Sequence, residues 1–393
     1  MSGRIYFSPC GIGLGHAGRC LDVAKRLKAE GLDIIFSTYS DALPFIEHEG
    51  FDLKVAPSFG YWTWPDGTVD PWRTLKWMSG KLIGRLAQQI KFEVKQITAF
   101  GPDLVFSDSR ISTIIAAKLT GKAVITMLNQ FHFIAPGFVH YRILPTLSDI
   151  FSFTLSPVWG ASDKVLVPDN PPPHTISISN LRMAKPLKEK LKYVGPILPV
   201  RPDELPSIDK LREKMGLDRR PLIYGAVSGP EHERKWLGDK LLRFLSDLPE
   251  EYQAVLSLGI KGNESKPLRK GNLTVYRWIP NRFELLKACD LVIGRGSHNT
   301  MMHALAYGKP MLLIPAQEQT EQISNARTAV AMGVAETVNQ RKMSRELLLS
   351  KVRGIFSSEG YRERAEEFRK VASRYDALKT IVNIVEGYTN RRS

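Results

Sequence analysis

Cys289-Asp290-Leu291-Val292-Ile293-Gly294-Arg295-Gly296-Ser297-His298-Asn299-Thr300-Met301-Met302-His303-Ala304-Leu305-Ala306-Tyr307-Gly308-Lys309-Pro310-Met311-Leu312-Leu313-Ile314-Pro315, followed by Glu321, Gln322 and Asn325, is the stretch from which the chain is best read. Leu291 to Ile293 is a short apolar run suited to a buried parallel strand. Gly294, Gly296 and Ser297 form a tight turn. Asn299 to Tyr307 reads as a helix closed by Gly308, Lys309 and Pro310. Met311 to Ile314 is the next strand. A helix that starts on Gly-Ser presents free N–H groups and a positive dipole end, which suits a phosphate. Arg295, Ser297 and Thr300 sit at that same end.

Several spaced elements here resemble the nucleotide-sugar half of the GT-B glycosyltransferases, in the family 28 branch that holds the bacterial lipid II synthase MurG. They are Asp290 before the strand, Arg295-Gly296-Ser297, Gly308-Lys309-Pro310, Leu313-Ile314-Pro315 and Gln322-Ile323-Ser324-Asn325-Ala326. The resemblance implies an α/β fold: GT-B, two Rossmann-like doubly wound parallel-sheet domains facing across a cleft. It implies donor contacts from Arg295, Gly296, Ser297, His298, Asn299, Thr300, His303, Gln322 and Asn325. His303 stands where the family has a ribose-binding Glu. A neutral imidazole can bond a hydroxyl but lacks the bidentate grip of a carboxylate.

At the other end of the chain, Arg4 to Ser8 reads as a strand. A glycine-rich turn follows, then a helix from about Cys20 to Glu30 and a second strand, Leu32 to Thr38. Gly13, Gly15 and Gly18 match G-x-G-x-x-G, a dinucleotide signature. The second strand ends without the acid that would hold an NAD ribose; the first carboxylate is Asp41. Gly13-Leu14-Gly15-His16 also resembles the Gly-Gly-His turn of the same glycosyltransferases, which adds Gly13 and Gly15 to the expected donor contacts. An imidazole ordinarily titrates near 6.5, so His16 is a candidate general base or a cap on its own helix. Asp108, at the tip of the strand Leu104 to Ser107, is a second candidate base or a structural cap. Strand tips are where open α/β sheets bind ligands. Ala123 to Leu128 delivers Asn129 and Gln130 to that edge, where the likeness implies acceptor-side contacts. Phe131, Phe133, Ile134, Phe138 and Tyr141 follow, as a lipid groove or as ordinary packing.

Trp62, Trp64, Trp72 and Trp77 cluster before and within a long helix that carries Leu75, Met78, Leu82, Leu86, Ile90, Val94 and Ile97 as one stripe. Arg73, Lys76, Lys81, Arg85, Lys91 and Lys95 surround it, and Glu93 is the single acid. The pattern fits an interfacial membrane element over residues 72–97, or a core stripe with a solvated cationic face. Asp163 to Pro168 reads as the last strand of the first domain. Residues 199–220 have linker composition. The expected domains are 1–198 on the acceptor side, 221–375 for the nucleotide sugar, and a C-terminal helix in 376–393 that returns to the first domain. In the second domain Leu222 to Val227 leads to Ser228 and Gly229, a further diphosphate-type turn. Arg277-Trp278-Ile279-Pro280 resembles the segment whose backbone reads uracil.

A chain of 393 residues, 43% apolar and 24% charged, can core two domains. Its three cysteines form no disulfide framework, which points to a reducing compartment. The N-terminus runs straight into a strand and reads as lacking a signal peptide. The net charge of +15 fits nucleic acid, an anionic membrane or a phosphate-bearing substrate, and does not choose among them. No Asp-x-Asp occurs, so the metal-held diphosphate of other glycosyltransferases is not expected. His298 and His303 are five apart, the wrong spacing to share a helix face for zinc. The expectation is an inverting enzyme with no cofactor and no metal. It moves N-acetylglucosamine from a UDP-sugar to a lipid-linked, polyprenyl-type acceptor. It works from the cytoplasmic face of the membrane and needs no nucleic acid. A UDP-sugar 2-epimerase of the same fold and an NAD-dependent oxidoreductase are the alternatives.

Overall fold

The computed structural model describes residues 3–78, 82–130, 157–181, 190–260, 266–279 and 281–389. The chain divides into two compact units. One holds residues 1–63, 69–197 and 375–393; the other holds residues 64–68 and 198–374.

The first unit is built on a seven-stranded sheet in the order β3-β2-β1-β4-β5-β6-β7. The strands are β1 Arg4–Pro9, β2 Asp33–Thr38, β3 Asp52–Val55, β4 Leu104–Asp108, β5 Ala123–Met127, β6 Lys164–Val167 and β7 Leu191–Tyr193. Every pairing is parallel. Parallel strands are covered on both faces, which is why β4 and β5 are apolar runs rather than alternating ones. Helix α1 (Gly15–Ala29) buries Leu21, Ala24 and Leu27 on one face, together with Ile381 and Val385 of the C-terminal helix Ala377–Thr389. On the other face Ile97 of α4 (Leu82–Phe100) and Ile114 of α5 (Ile111–Leu119) pack with Trp159. Short α2 (Ala42–Glu47) and α3 (Pro71–Met78) belong to this unit as well.

Two expectations for this unit change. The expected long helix is helical over α3 and α4, and residues 79–81 between them lie outside the described residues. Its buried face is not purely apolar. Gln89 and Glu93 are buried beside Ile97, while Ile83 is 83% exposed. Glu93 accepts from Tyr6 Oη at 2.6 Å, Ser37 Oγ at 2.7 Å and Arg110 Nη2 at 2.6 Å. A carboxylate so fully bonded can be buried without an unpaired charge. The last strand is β7, not residues 163–168. Leu-Lys-Tyr is too short and too polar to show a period, and only its pairing with β6 makes it a strand.

The second unit repeats the design, with order β10-β11-β9-β8-β12-β13-β14. Its strands are β8 Leu222–Ala226, β9 Gln253–Ser257, β10 Leu268–Lys270, β11 Leu273–Tyr276, β12 Leu291–Gly294, β13 Met311–Leu313 and β14 Ala335–Thr337. All pairings are parallel except β10 with β11. Its helices are α6 Ile208–Met215, α7 Glu231–Ser246, α8 Arg282–Ala288, α9 His298–Ala306, α10 Thr320–Ala331, α11 Arg345–Ser357 and α12 Glu359–Ala372. Residues 199–220, expected as a linker, are folded. They contain α6, whose Arg212 bonds Ala288 O at 2.9 Å and Asp290 Oδ2 at 2.7 Å. The charges that look like linker composition are spent on tying the segment down.

Candidate functional site

Each sheet changes direction at its centre, β1/β4 in the first unit and β8/β12 in the second. Ligands in open α/β sheets sit outside the carboxyl ends at that switch. Pro9 and Asp108 are paired there in the first unit, Ala226 and Gly294 in the second.

In the first unit the chain leaves β1, makes the glycine turn and enters α1 at Gly15. A Cβ on Gly11 would lie 2.0 Å from Tyr39 O, so only glycine passes there. Asp41 accepts from Gly13 N at 2.8 Å. The acid that does not serve a dinucleotide thus clamps the turn itself. His16 is in the first turn of α1 with its side chain 24% exposed. Its Nδ1 lies 2.7 Å from Asp108 Oδ1. The same Nδ1 lies 3.0 Å from Arg19 Nη2; a carboxylate only accepts, so the tautomer with Nδ1–H donating to Asp108 is the one that leaves a lone pair on Nε2. Asp108 is fully buried. Arg19, one helical turn after His16, grips both its oxygens, Nε to Oδ2 at 2.5 Å and Nη2 to Oδ1 at 2.6 Å. Burial pushes the Asp108 pKa up, but the charges and hydrogen bonds of Arg19 and His16 outweigh it and hold the carboxyl well below its usual range. Arg19 Nη1 also donates to Asn129 Oδ1 at 3.0 Å. Asn129 is buried and Gln130 half-buried at the end of β5; Phe131 to Tyr141 lie outside the described residues.

His16, Asp108 and Asn129, read separately along the sequence, therefore meet at one sheet edge. Asp108 has no exposed surface, and its oxygens are held by His16 and Arg19. Arg19 was not singled out in the sequence. Its spacing of three from His16 puts both side chains on one helix face, a signal available in retrospect.

In the second unit Ser228, just past β8, lies 3.1 Å from Ser297 across the switch, Oγ to Oγ. Ser297 stands at the N-cap position of α9, where its hydroxyl bonds no helix N–H and instead donates to Thr300 Oγ1 at 2.9 Å. No acidic residue occupies the first turn of α9. Gly296 has a Cβ position 2.4 Å from Gln322 O, so the turn abuts α10. Asn325 Nδ2 reaches Gly296 O at 3.3 Å, and Gln322 Oε1 accepts from Ala316 N at 3.0 Å. Both amides are buried; Asn325 braces the turn, and Gln322 holds the loop after β13. His298 and His303 are buried too, His303 edge-on to Phe283 with centroids 5.2 Å apart. Asn299 is half-buried at the helix start, and Ile279 is half-buried beyond β11.

Two placements differ from what a diphosphate cradle asks. Arg295 is fully buried, not aimed out of the α9 turn. It donates to Gln340 Oε1 at 2.6 Å, Ile314 O at 3.1 Å and Asp66 O at 3.0 Å. Ser228 and Gly229 precede α7, whose first turn carries Glu231 and Glu233. Carboxylates there oppose an incoming anion, so the α7 dipole is already answered. The hydroxyl-lined start of α9 is the better anion position.

Residues 239–381 match the glycosyltransferase family 28 C-terminal domain. An uncharacterized glycosyltransferase of Methanosarcina mazei is 27% identical over 98% of each chain. The fold is similar to the calicheamicin glycosyltransferase CalG4, with TM-score 0.68 at 15% identity over 100% of this chain and 99% of that one. The chain is a glycosyltransferase of GT-B fold, similar to family 28 over its second unit. This glycosyltransferase also matches, over 50% of its own length and 55% of the relative's, the UDP-N-acetylglucosamine--N-acetylmuramyl-(pentapeptide) pyrophosphoryl-undecaprenol N-acetylglucosamine transferase of Geobacillus kaustophilus, at 27% identity. No helix among its described residues is long and apolar enough to cross a membrane.

Proposed function

We propose that this glycosyltransferase inverts the anomeric centre of a UDP-sugar, without a metal, with His16 as the general base. The observation that supports this is the His16–Asp108 contact: with Nδ1 donating to the carboxylate, Nε2 keeps a lone pair to accept a proton. An acceptor hydroxyl gives its proton to Nε2 as its oxygen bonds to the sugar C1. The bond from C1 to the diphosphate breaks, and UDP leaves with that electron pair. Charge on the departing diphosphate is met by the N–H groups, dipole and hydroxyls at Ser297 and Thr300. UDP-N-acetylglucosamine is the donor favoured by likeness to the Geobacillus kaustophilus transferase. That likeness also supports a lipid-linked acceptor, as do Trp72, 67% exposed, and Ile83 among the exposed cations Arg73, Lys76, Lys91 and Lys95. A chain with those features would work at the cytoplasmic membrane face, where anionic lipid adds about 1 kcal/mol per basic residue.

The first test is thermal unfolding with UDP, UDP-N-acetylglucosamine, UDP-glucose, GDP-mannose and NAD. A ligand at about 100 times its Kd adds roughly 2.7 kcal/mol. UDP and one UDP-sugar should shift the melt; a shift with NAD alone would sink the reading. With the donor found, His16→Ala should lower kcat about 10²- to 10⁴-fold while the chain stays folded at the assay temperature. A variant that keeps activity within about threefold would remove His16 from the chemistry.

A further inference from the structure

Asp108 is followed by a strained residue. Ser109, directly after β4, has a φ of 59°, left-handed backbone that a residue other than glycine adopts only at a steric cost. Such a conformation persists where the surroundings impose it. Here Arg110 supplies the surroundings. Its carbonyl accepts from Ser107 Oγ at 3.0 Å, which closes residues 107–110 on themselves around Asp108. Its guanidinium is buried and donates through Nη1 to Ser8 Oγ at 2.7 Å and Ser37 O at 3.0 Å, and through Nη2 to Glu93 Oε1 at 2.6 Å. It also lies 5.3 Å over the ring of Tyr39, whose carbonyl is the one pressed against Gly11. One buried cation thus holds both the tip of β4, which carries Asp108, and the end of β1, from which the chain turns to His16. Apolar side chains of similar volume are often as stabilising as a buried ion pair, so stability is not what such a pair distinctively adds. Fixed geometry is.

We propose that the Glu93–Arg110 pair is a positioning device for the His16–Asp108 contact. It imposes the left-handed turn at Ser109 and so fixes where the Asp108 carboxylate meets His16. Both side chains are buried and act through Asp108. The consequence for catalysis rests on His16 being the base; the consequence for the position of Asp108 does not.

The experiment takes two variants with opposite construction. Glu93→Gln/Arg110→Met removes the clamp and leaves no unpaired buried charge. Ser109→Val keeps the clamp, but its β-branched side chain resists positive φ. Displacing a reacting group by about 1 Å can cost about 10²-fold in rate. Each variant should lose kcat by about that factor, with KM for the UDP-sugar near the parent's. Glycine takes positive φ without steric cost. Ser109→Gly should therefore restore most of the lost kcat when added to the double variant, and should raise nothing in the parent. A loss caused by poorer packing would not be restored by deleting a further side chain. If the double variant does not fold, Arg110→Lys replaces it: one nitrogen can meet Glu93 but cannot hold the fork to Ser8 and Ser37. Folded variants with the kcat of the parent, or a loss that Ser109→Gly leaves unchanged, would overturn the proposal. Crystal structures of the variants need no turnover. Variants that keep both the positive φ at residue 109 and the 2.7 Å His16–Asp108 contact would overturn it as well. If that contact opens while His16→Ala leaves the parent's kcat intact, the positioning stands and the base role of His16 falls.

Discussion

Helices α1 and α9 both start just beyond a central strand, at the point where their sheet changes direction, and each is preceded by a glycine pressed against a backbone carbonyl. Around α1 the polar groups are ionic: His16, Arg19 and the Asp108 carboxylate. Around α9 they are the neutral hydroxyls of Ser228, Ser297 and Thr300. Neither helix carries an acid in its own first turn, but at α1 the Asp108 carboxylate comes in from the neighbouring strand tip and bonds the side chains of His16 and Arg19. The α9 dipole has no fixed acid in its first turn. One strand-turn-helix design thus yields a junction suited to handling a proton and another suited to receiving an anion. What separates them is which strand tip supplies a charge.

Three measurements can break or sharpen that contrast. The largest effect should come from Asp108→Asn, which leaves Arg19 buried and uncompensated at a cost of about 3–5 kcal/mol near neutral pH. The folded Asp108 titrates below its usual range, so its stabilisation is present above the ordinary carboxylate pKa of about 3.9 and is lost as pH falls through the lower folded value. Urea unfolding of both chains should show the gap at pH 7 and its narrowing below about pH 4. A gap of the same size at both ends would mean that the Asp108 charge is not what holds the first junction.

Next come Gly11→Ala and Gly296→Ala. Each new methyl would sit within 2.0 Å or 2.4 Å of a carbonyl oxygen, so each turn must shift. Overpacking of this kind costs about 1–3 kcal/mol. Equal losses would show the two turns to be mechanically alike, whatever their chemistry. A neutral Gly296→Ala would show that α10 can move away from the α9 turn.

The smallest effect is expected from Ser297→Ala. One hydroxyl to a diphosphate is worth about 1 kcal/mol, or roughly fivefold in KM for the donor, with the pH profile unchanged. A change in the pH profile instead would place proton handling at the wrong junction.

Both sheets were readable along the chain. Apolar runs such as Leu104 to Phe106 and Leu291 to Ile293 are short, β-branched and bounded by turn residues, and parallel strands need nothing more. The start of α9 was readable to within one residue from its Gly-Ser turn, whereas α1 begins at Gly15, five residues before the expected Cys20, because the helix runs back through Gly18 to the glycine turn. Strand β7 was not, because three residues carry no period. Glu93 was not either, since a lone acid on a cationic helix looks solvated until Arg110, Ser37 and Tyr6 arrive from distant positions.

The sequence by itself determined the kind of chain: strand and helix periods, glycine turns, and the spaced motif from Asp290 to Asn325 that carries the likeness to family 28. These are local patterns, set by residues a few positions apart. Only the tertiary structure decided the state of each charge. Asp108 becomes a buried anion because Arg19 and His16 reach it from 89 and 92 positions away. Arg295, at the heart of the motif, turns inward because Gln340 and Ile314 offer acceptors there. A side chain's electrostatic role depends on partners and on exclusion of water, and neither is written in its neighbours along the chain.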